Sequence, residues 1–184
     1  MLKKISLAIL TILLLTGCSM FPKKDDSKEK SASEYESFYK AINDHDTFSF
    51  QSNYYKLTGE IVSLPNGKYN YYIFLDNPQI AMYNIKLLAV EKGSNYLDSK
   101  NMAASLGIFG KEKYSLIPYQ VFSEGGYFKG LMISGETDKN EIEIDMLVSW
   151  HGSERDKSYK EFLNFKLGIE GIIEQHDDFN TERK

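Results

Sequence analysis

The chain reads as an antiparallel β-sandwich with one short N-terminal amphipathic helix. Three observations predict it. Runs of alternating apolar and polar residues recur from Phe48 onward, at the two-residue period of a half-buried strand. Turn sequences such as Asn66-Gly67, Asn77-Pro78 and Gly125-Gly126 separate them every ten residues or so, roughly the spacing of an all-β domain. Helical spacing is confined to one stretch, so the apolar faces are expected between two packed sheets, with a small barrel as the alternative.

The helix comes first. Ser33 is placed to cap it, and Glu36 stands three residues on, the spacing of a capping box. Tyr35, Phe38, Tyr39 and Ile42 follow at i, i+3, i+4 and i+7, which predicts an apolar stripe within residues 34–47 that ends near Asn43. A helix this short is marginal alone, so it should dock on the domain. In the next segment Tyr55, Leu57 and Ile61 alternate with Lys56, Thr58 and Glu60. Leu64-Pro65-Asn66-Gly67-Lys68 then turns the chain, because Asn-Gly accepts positive φ cheaply.

Tyr69 to Leu75 is the return strand. Its centre is apolar on both faces, Tyr71 and Ile73 on one and Tyr72 and Phe74 on the other, as for a strand covered on both sides. Residues 81–90 form a third strand, and 96–110 reads as a crossover with no clear period. Residues 114–122 and 127–134 are further strands, and Gly135 to Asn140 is a turn. The cleanest alternation sets Ile142, Ile144, Met146, Val148 and Trp150 against Glu141, Glu143, Asp145 and Ser149. After a turn over 152–156, Leu163, Phe165 and Leu167 pattern the last strand. The domain therefore spans 48–168, and 169–184 is a polar tail.

Ahead of the domain lies a different kind of sequence. Lys3 and Lys4 precede an apolar run from Ile5 to Leu15, and Leu15-Thr16-Gly17-Cys18 closes it. That is the layout of a secretory signal over 1–17. The run is shorter than the roughly 20 residues a spanning helix needs. Leu15-Thr16-Gly17-Cys18 resembles the lipobox of bacterial prolipoproteins, with an aliphatic residue three before the cysteine and a small one directly before it. The resemblance implies that Cys18 carries diacylglycerol and becomes the first residue of a protein held at the extracytoplasmic face of the cell membrane. Two acyl chains suffice for stable anchoring. Residues 18–33, rich in Lys, Asp and Ser, then read as a flexible tether.

Cys18 is the chain's one cysteine, so the domain has no thiol for a disulfide, a nucleophile or a zinc site. Formal charge is −4, and loss of Lys3 and Lys4 takes it to about −6. That balance argues against nucleic acid, and against a polybasic grip on anionic lipid. Thirteen Tyr and eleven Phe suit an aromatic β-core or a binding surface. The C-terminal unit adds a second, looser resemblance. Gly135, the strand to Trp150, His151-Gly152 and a polar-led return strand are similar to the closing hairpin of immunoglobulin-like modules in Gram-positive surface proteins. That implies a fold, not an activity.

Candidate chemistry is sparse. His45 in Asn43-Asp44-His45-Asp46 and His176 in the tail lack metal-ligand spacing, and no metal is expected. His151 ends a strand beside Gly152, with Ser153, Glu154 and Asp156 near only in sequence. Glu141, Glu143 and Asp145 share a strand face, where a sugar-cleaving pair would sit, but the same pattern describes a solvated face. No glycine-rich phosphate cradle occurs, so no cofactor is expected. The strongest surface candidate is the aromatic set Tyr69, Tyr71, Tyr72 and Phe74. The helix stripe is expected to cover Tyr72 and Phe74, and if it does not, they form a contact patch. The reading that results is a non-catalytic, lipid-anchored binding or structural module of the cell envelope, with a protein or cell-wall partner. Its competitors are an envelope hydrolase built on His151 or the 141–149 face, and a module that adds a strand at an open sheet edge.

Overall fold

The computed structural model describes residues 26–97, 102–154 and 156–173; the signal segment, Cys18 and His176 lie outside them. The alternation that begins at Ile142 builds the longest strands. β8 (Glu141–His151) pairs antiparallel with β9 (Ser158–Gly168) along its whole length. On its other side β8 pairs with β3 (Tyr83–Glu91). Two short strands, β4 (Ala104–Leu106) and β10 (Gly171–Ile173), finish a five-stranded sheet of order β10-β9-β8-β3-β4. The second sheet is three-stranded: β1 (Lys56–Ser63), β2 (Tyr69–Asp76) and β7 (Gly130–Thr137), in that order.

β1 and β2 form one hairpin, β2 crosses to β3 in the other sheet, and β7 returns beside β2 before β8 crosses again. With β10 as an addition beyond β9, this is the strand order of an immunoglobulin-like sandwich, A-B-E facing G-F-C-C′. Between β4 and β7 the chain makes two short strands, β5 (Ser115–Leu116) and β6 (Tyr127–Phe128), which pair in parallel, and a single 3-10 turn, Ser123–Gly125, between them. The expected strand over 114–122 is thus two residues long. Pro118 cannot donate to a ladder, and the chain turns there instead.

The core between the sheets holds Ile61, Tyr71, Ile73, Leu75, Ile85, Leu87, Ile133, Ile144, Met146, Trp150, Phe165 and Leu167. Trp150 is its largest side chain, stacked on Tyr159 at 5.6 Å. Gly135 lies within β7 rather than in a turn. It pairs with Tyr71, and a Cβ there would fall on the Tyr71 ring. The missing side chain is what lets that ring enter the core.

Helix α1 (Asp26–Asn43) begins earlier than expected, so Ser33 and Glu36 lie inside it and residues 26–33 belong to the helix, not to a tether. Lys and Glu are strong helix formers, and once the apolar stripe is docked each added turn needs no new nucleus. The stripe itself packs where it was not expected. Tyr35, Phe38, Tyr39 and Ile42 cover Leu88, Val90 and Leu147 on the outer face of the five-stranded sheet, leaving Tyr72 and Phe74 uncovered. The reason lies in side-chain type: the outward positions of β3 and β8 are aliphatic there, whereas Tyr72 and Phe74 tolerate half-burial. The Tyr39 hydroxyl donates to the Ser94 carbonyl (3.1 Å), and the Tyr35 hydroxyl accepts from the Ala103 amide (2.9 Å), so the buried rings satisfy their polar ends.

Candidate functional site

Residues of β2 alternate strictly between faces. Tyr71, Ile73 and Leu75 point into the core and are buried, so Tyr71 cannot belong to a surface patch. Tyr69 packs partly against the core edge. Tyr72 and Phe74 take the outer face half-buried, opposite Ser134 and Met132 of β7. Of the four predicted patch residues, Phe74 lines a concavity.

That concavity, about 750 Å3, runs between the end of the β2–β7 pair and the segment 117–121. Phe74, Met132, Ile117, Pro118 and Val121 make its apolar wall, and Asp76, Asn77, Gln79, Gln120 and Lys129 line it as well. The segment is held in place from inside: Leu116, fully buried, exchanges two backbone hydrogen bonds with Met82 (2.8 and 2.9 Å) at the start of β3. Immediately afterwards Ile117-Pro118-Tyr119-Gln120 makes a turn closed by the Gln120 amide on the Ile117 carbonyl (3.1 Å). Proline second and positive φ third is the type II pattern, whose third position ordinarily takes Gly or Asn. Here it is Tyr119, at φ 61° and completely exposed. Val121 and Phe122 beside it are 66% and 56% exposed, and Met132 is 48% exposed. A large aromatic has been placed in a backbone region that disfavours it, and its ring is presented to solvent among other apolar groups.

His151 falls in a second groove, of about 810 Å3, between the first half of α1 and residues 107–113. Ser31 and Glu34 line it too, whereas the sequence neighbours Ser153, Glu154 and Asp156 do not. Glu34 is bonded to Lys86, so it is already engaged by a cation. The groove also gathers Lys28, Lys30, Lys111 and Lys113, a concentration of positive charge invisible in the overall balance of −4.

The acidic face of β8 is organised as structure. Glu143 bonds Lys92 Nζ (2.6 Å) and Asn164 Nδ2 (2.9 Å), and Asn164 Nδ2 also reaches Asp145 (2.6 Å). The Lys92 hydrogen bond, then that of Asn164, holds the Glu143 carboxyl below its ordinary range. A general acid needs the opposite shift. His45 stacks on Phe162 at 3.6 Å and meets Phe48 edge-on, packing the end of α1 against β9. Among the described residues no group of three or more His, Cys, Asp or Glu side chains is placed to hold a metal ion.

No family model matches the chain. No curated protein matches it either. Solved structures with a related course include a Northeast Structural Genomics Consortium target, SoR45, with 11% identity and a TM-score of 0.36 over 65% of this chain and 89% of its own. Another is a Bordetella pertussis protein described by the name ApaA, with 12% identity and a TM-score of 0.35 over 65% of this chain and 98% of its own. Neither likeness brings an activity or a ligand with it.

The sequence reading missed Tyr119, Val121 and Met132. A signal for the first was present: Pro118 interrupts an otherwise strand-like run, and a proline in the second position of a turn makes the next residue its apex.

Proposed function

We propose that this protein is a lipid-anchored, non-catalytic binding module of the extracytoplasmic membrane face, tethered through Cys18 and engaging a protein partner at the groove beside Tyr119. The observation that carries the binding half is Tyr119 itself: a fully exposed aromatic kept at positive φ, flanked by Val121, Phe122 and Met132. Rigid aromatic anchors with an adjoining apolar pocket are what protein interfaces use for most of their binding energy.

The test has two arms. A photo-crosslinking residue at position 119 in intact cells is expected to yield one discrete protein adduct that the same residue at exposed Lys56 does not. Identical adducts at both positions would remove the groove from the reading. Metabolic labelling with a palmitate analogue is expected to mark the wild type and not Cys18→Ala; equal labelling of the two would remove the anchor. A panel of ester and glycoside substrates serves as the check on the enzymatic alternative, since turnover lost in His151→Ala would replace this proposal with a hydrolase.

A further inference from the structure

The lysine groove shares no lining residue with the groove beside Tyr119. Lys28 and Lys30 come from α1, Lys86 from β3, and Lys111 and Lys113 from the loop after β4, so widely separated stretches converge on one cavity. Its two acids are both occupied: Glu34 holds Lys86, and Glu112 accepts from the Tyr114 hydroxyl. No described acid lies within ion-pair distance of the other four lysines. A cleft lined by one sign of charge concentrates the opposite sign, here an anion. The wall opposite α1 is shaped by special backbone: Asn84, Gly107 and Gly110 all have positive φ (49°, 73° and 88°), and a Cβ on Gly107 would fall on the Ile85 carbonyl. Between the two glycines stands Phe109, 41% exposed, at the groove's lip.

We propose that this groove docks on the anionic phospholipid headgroups of the membrane that bears the lipid anchor, and so fixes how the sandwich stands on the bilayer. The inference rests on the Cys18 anchor reading. Two features favour a bilayer over a free anion. The start of α1 follows Cys18 by eight residues, so it lies within about 28 Å of the lipid even with the chain fully extended. Lysines around an exposed aromatic are also the composition of an interfacial contact, with charges at the phosphates and the ring at the acyl boundary.

Phe109→Trp in the full lipidated protein gives a reporter, because the native Trp150 is 1% exposed and supplies a constant background. The protein is reconstituted in brominated phosphatidylcholine vesicles, alone or mixed equally with phosphatidylglycerol. Quenching at position 109 is expected only in the anionic mixture, and should vanish at about 1 M salt, where screening acts over ~3 Å. Lys111→Glu with Lys113→Glu should weaken docking at least about twentyfold, from about fivefold per lysine near an anionic surface. Lys28→Glu with Lys30→Glu should do the same. Equal quenching in both vesicles, or none in either with the protein still pelleting, would overturn the docking. Displacement by inorganic phosphate beyond that by sodium chloride of equal ionic strength would overturn it in favour of a soluble-anion site. Failure to pellet with any vesicle would instead overturn the anchor reading beneath it.

Discussion

Replacing Tyr119 by glycine should make the protein more stable while abolishing the binding proposed at this groove. A non-glycine residue in the left-handed region costs roughly 1–2 kcal/mol, and Tyr119 sits at φ 61°. Glycine relieves that strain but enlarges the unfolded ensemble, which costs about 0.5–1 kcal/mol. Nothing is lost in packing, because the side chain is completely exposed. The balance is a gain of about 0.5–1 kcal/mol, or about 1–4 °C in Tm for a domain of this size. Tyr119→Ala is the necessary companion. It removes the ring and keeps the strain, so its stability should stay within about 0.5 kcal/mol of wild type. Urea unfolding followed by the fluorescence of Trp150, the chain's one tryptophan, reads all three forms, and their m-values should agree. Both variants should lose the partner. Equal stability of the glycine and alanine variants would mean that no strain is stored at Tyr119. Intact partner binding in both would separately refute the ring as an anchor.

Other outcomes follow from the same structure. Ile42→Ala, emptying a 2% exposed site over Leu88 and Leu147, should cost roughly 2–5 kcal/mol in urea unfolding and loosen α1 in hydrogen exchange. Gly135→Ala should cost about 1–3 kcal/mol through collision with Tyr71, and adding Tyr71→Val should recover part of it, a non-additivity that a double-mutant cycle detects. Glu143 has a depressed carboxyl pKa in the folded state, so its contribution is present above the unfolded carboxylate value of about 4.3 and is lost as pH falls through the folded one. The stability difference between wild type and Glu143→Gln should therefore hold from neutral pH down to about 5 and shrink below about 4, staying under ~1 kcal/mol because Lys92 is exposed.

Much of the architecture was legible because period-two patterning is a local property. Ile142 to Trp150 and Leu163 to Leu167 announced the two central strands, and Asn66-Gly67 the first hairpin, with no knowledge of neighbours. The helix stripe was equally plain; where it lands was not. Both β2 and β3 carry apolar residues on two faces, and patterning alone cannot choose between them. The choice fell to β3 because Leu88, Val90 and Leu147 form an aliphatic floor across two strands, and Leu147 belongs to a segment far along the chain. Phe74 was legible as a surface candidate, but the groove that gives it a role depends on Met132 and Pro118, which only β7 pairing and the Met82–Leu116 bridge bring to it.

By itself the sequence determined the sandwich class, the amphipathic helix and the lipobox-like Cys18 that makes an anchored protein the natural expectation. These depend on spacing and composition over short windows. The tertiary structure decided which sheet face the helix covers, that Tyr119 rather than Tyr71 is presented to solvent, and that lysines from separate stretches share one groove. Net charge is a sum over the whole chain and carries no position, so a formal −4 spoke against any cationic surface. Folding places charges in space, and a protein acidic on balance can still meet its surroundings with a positive face.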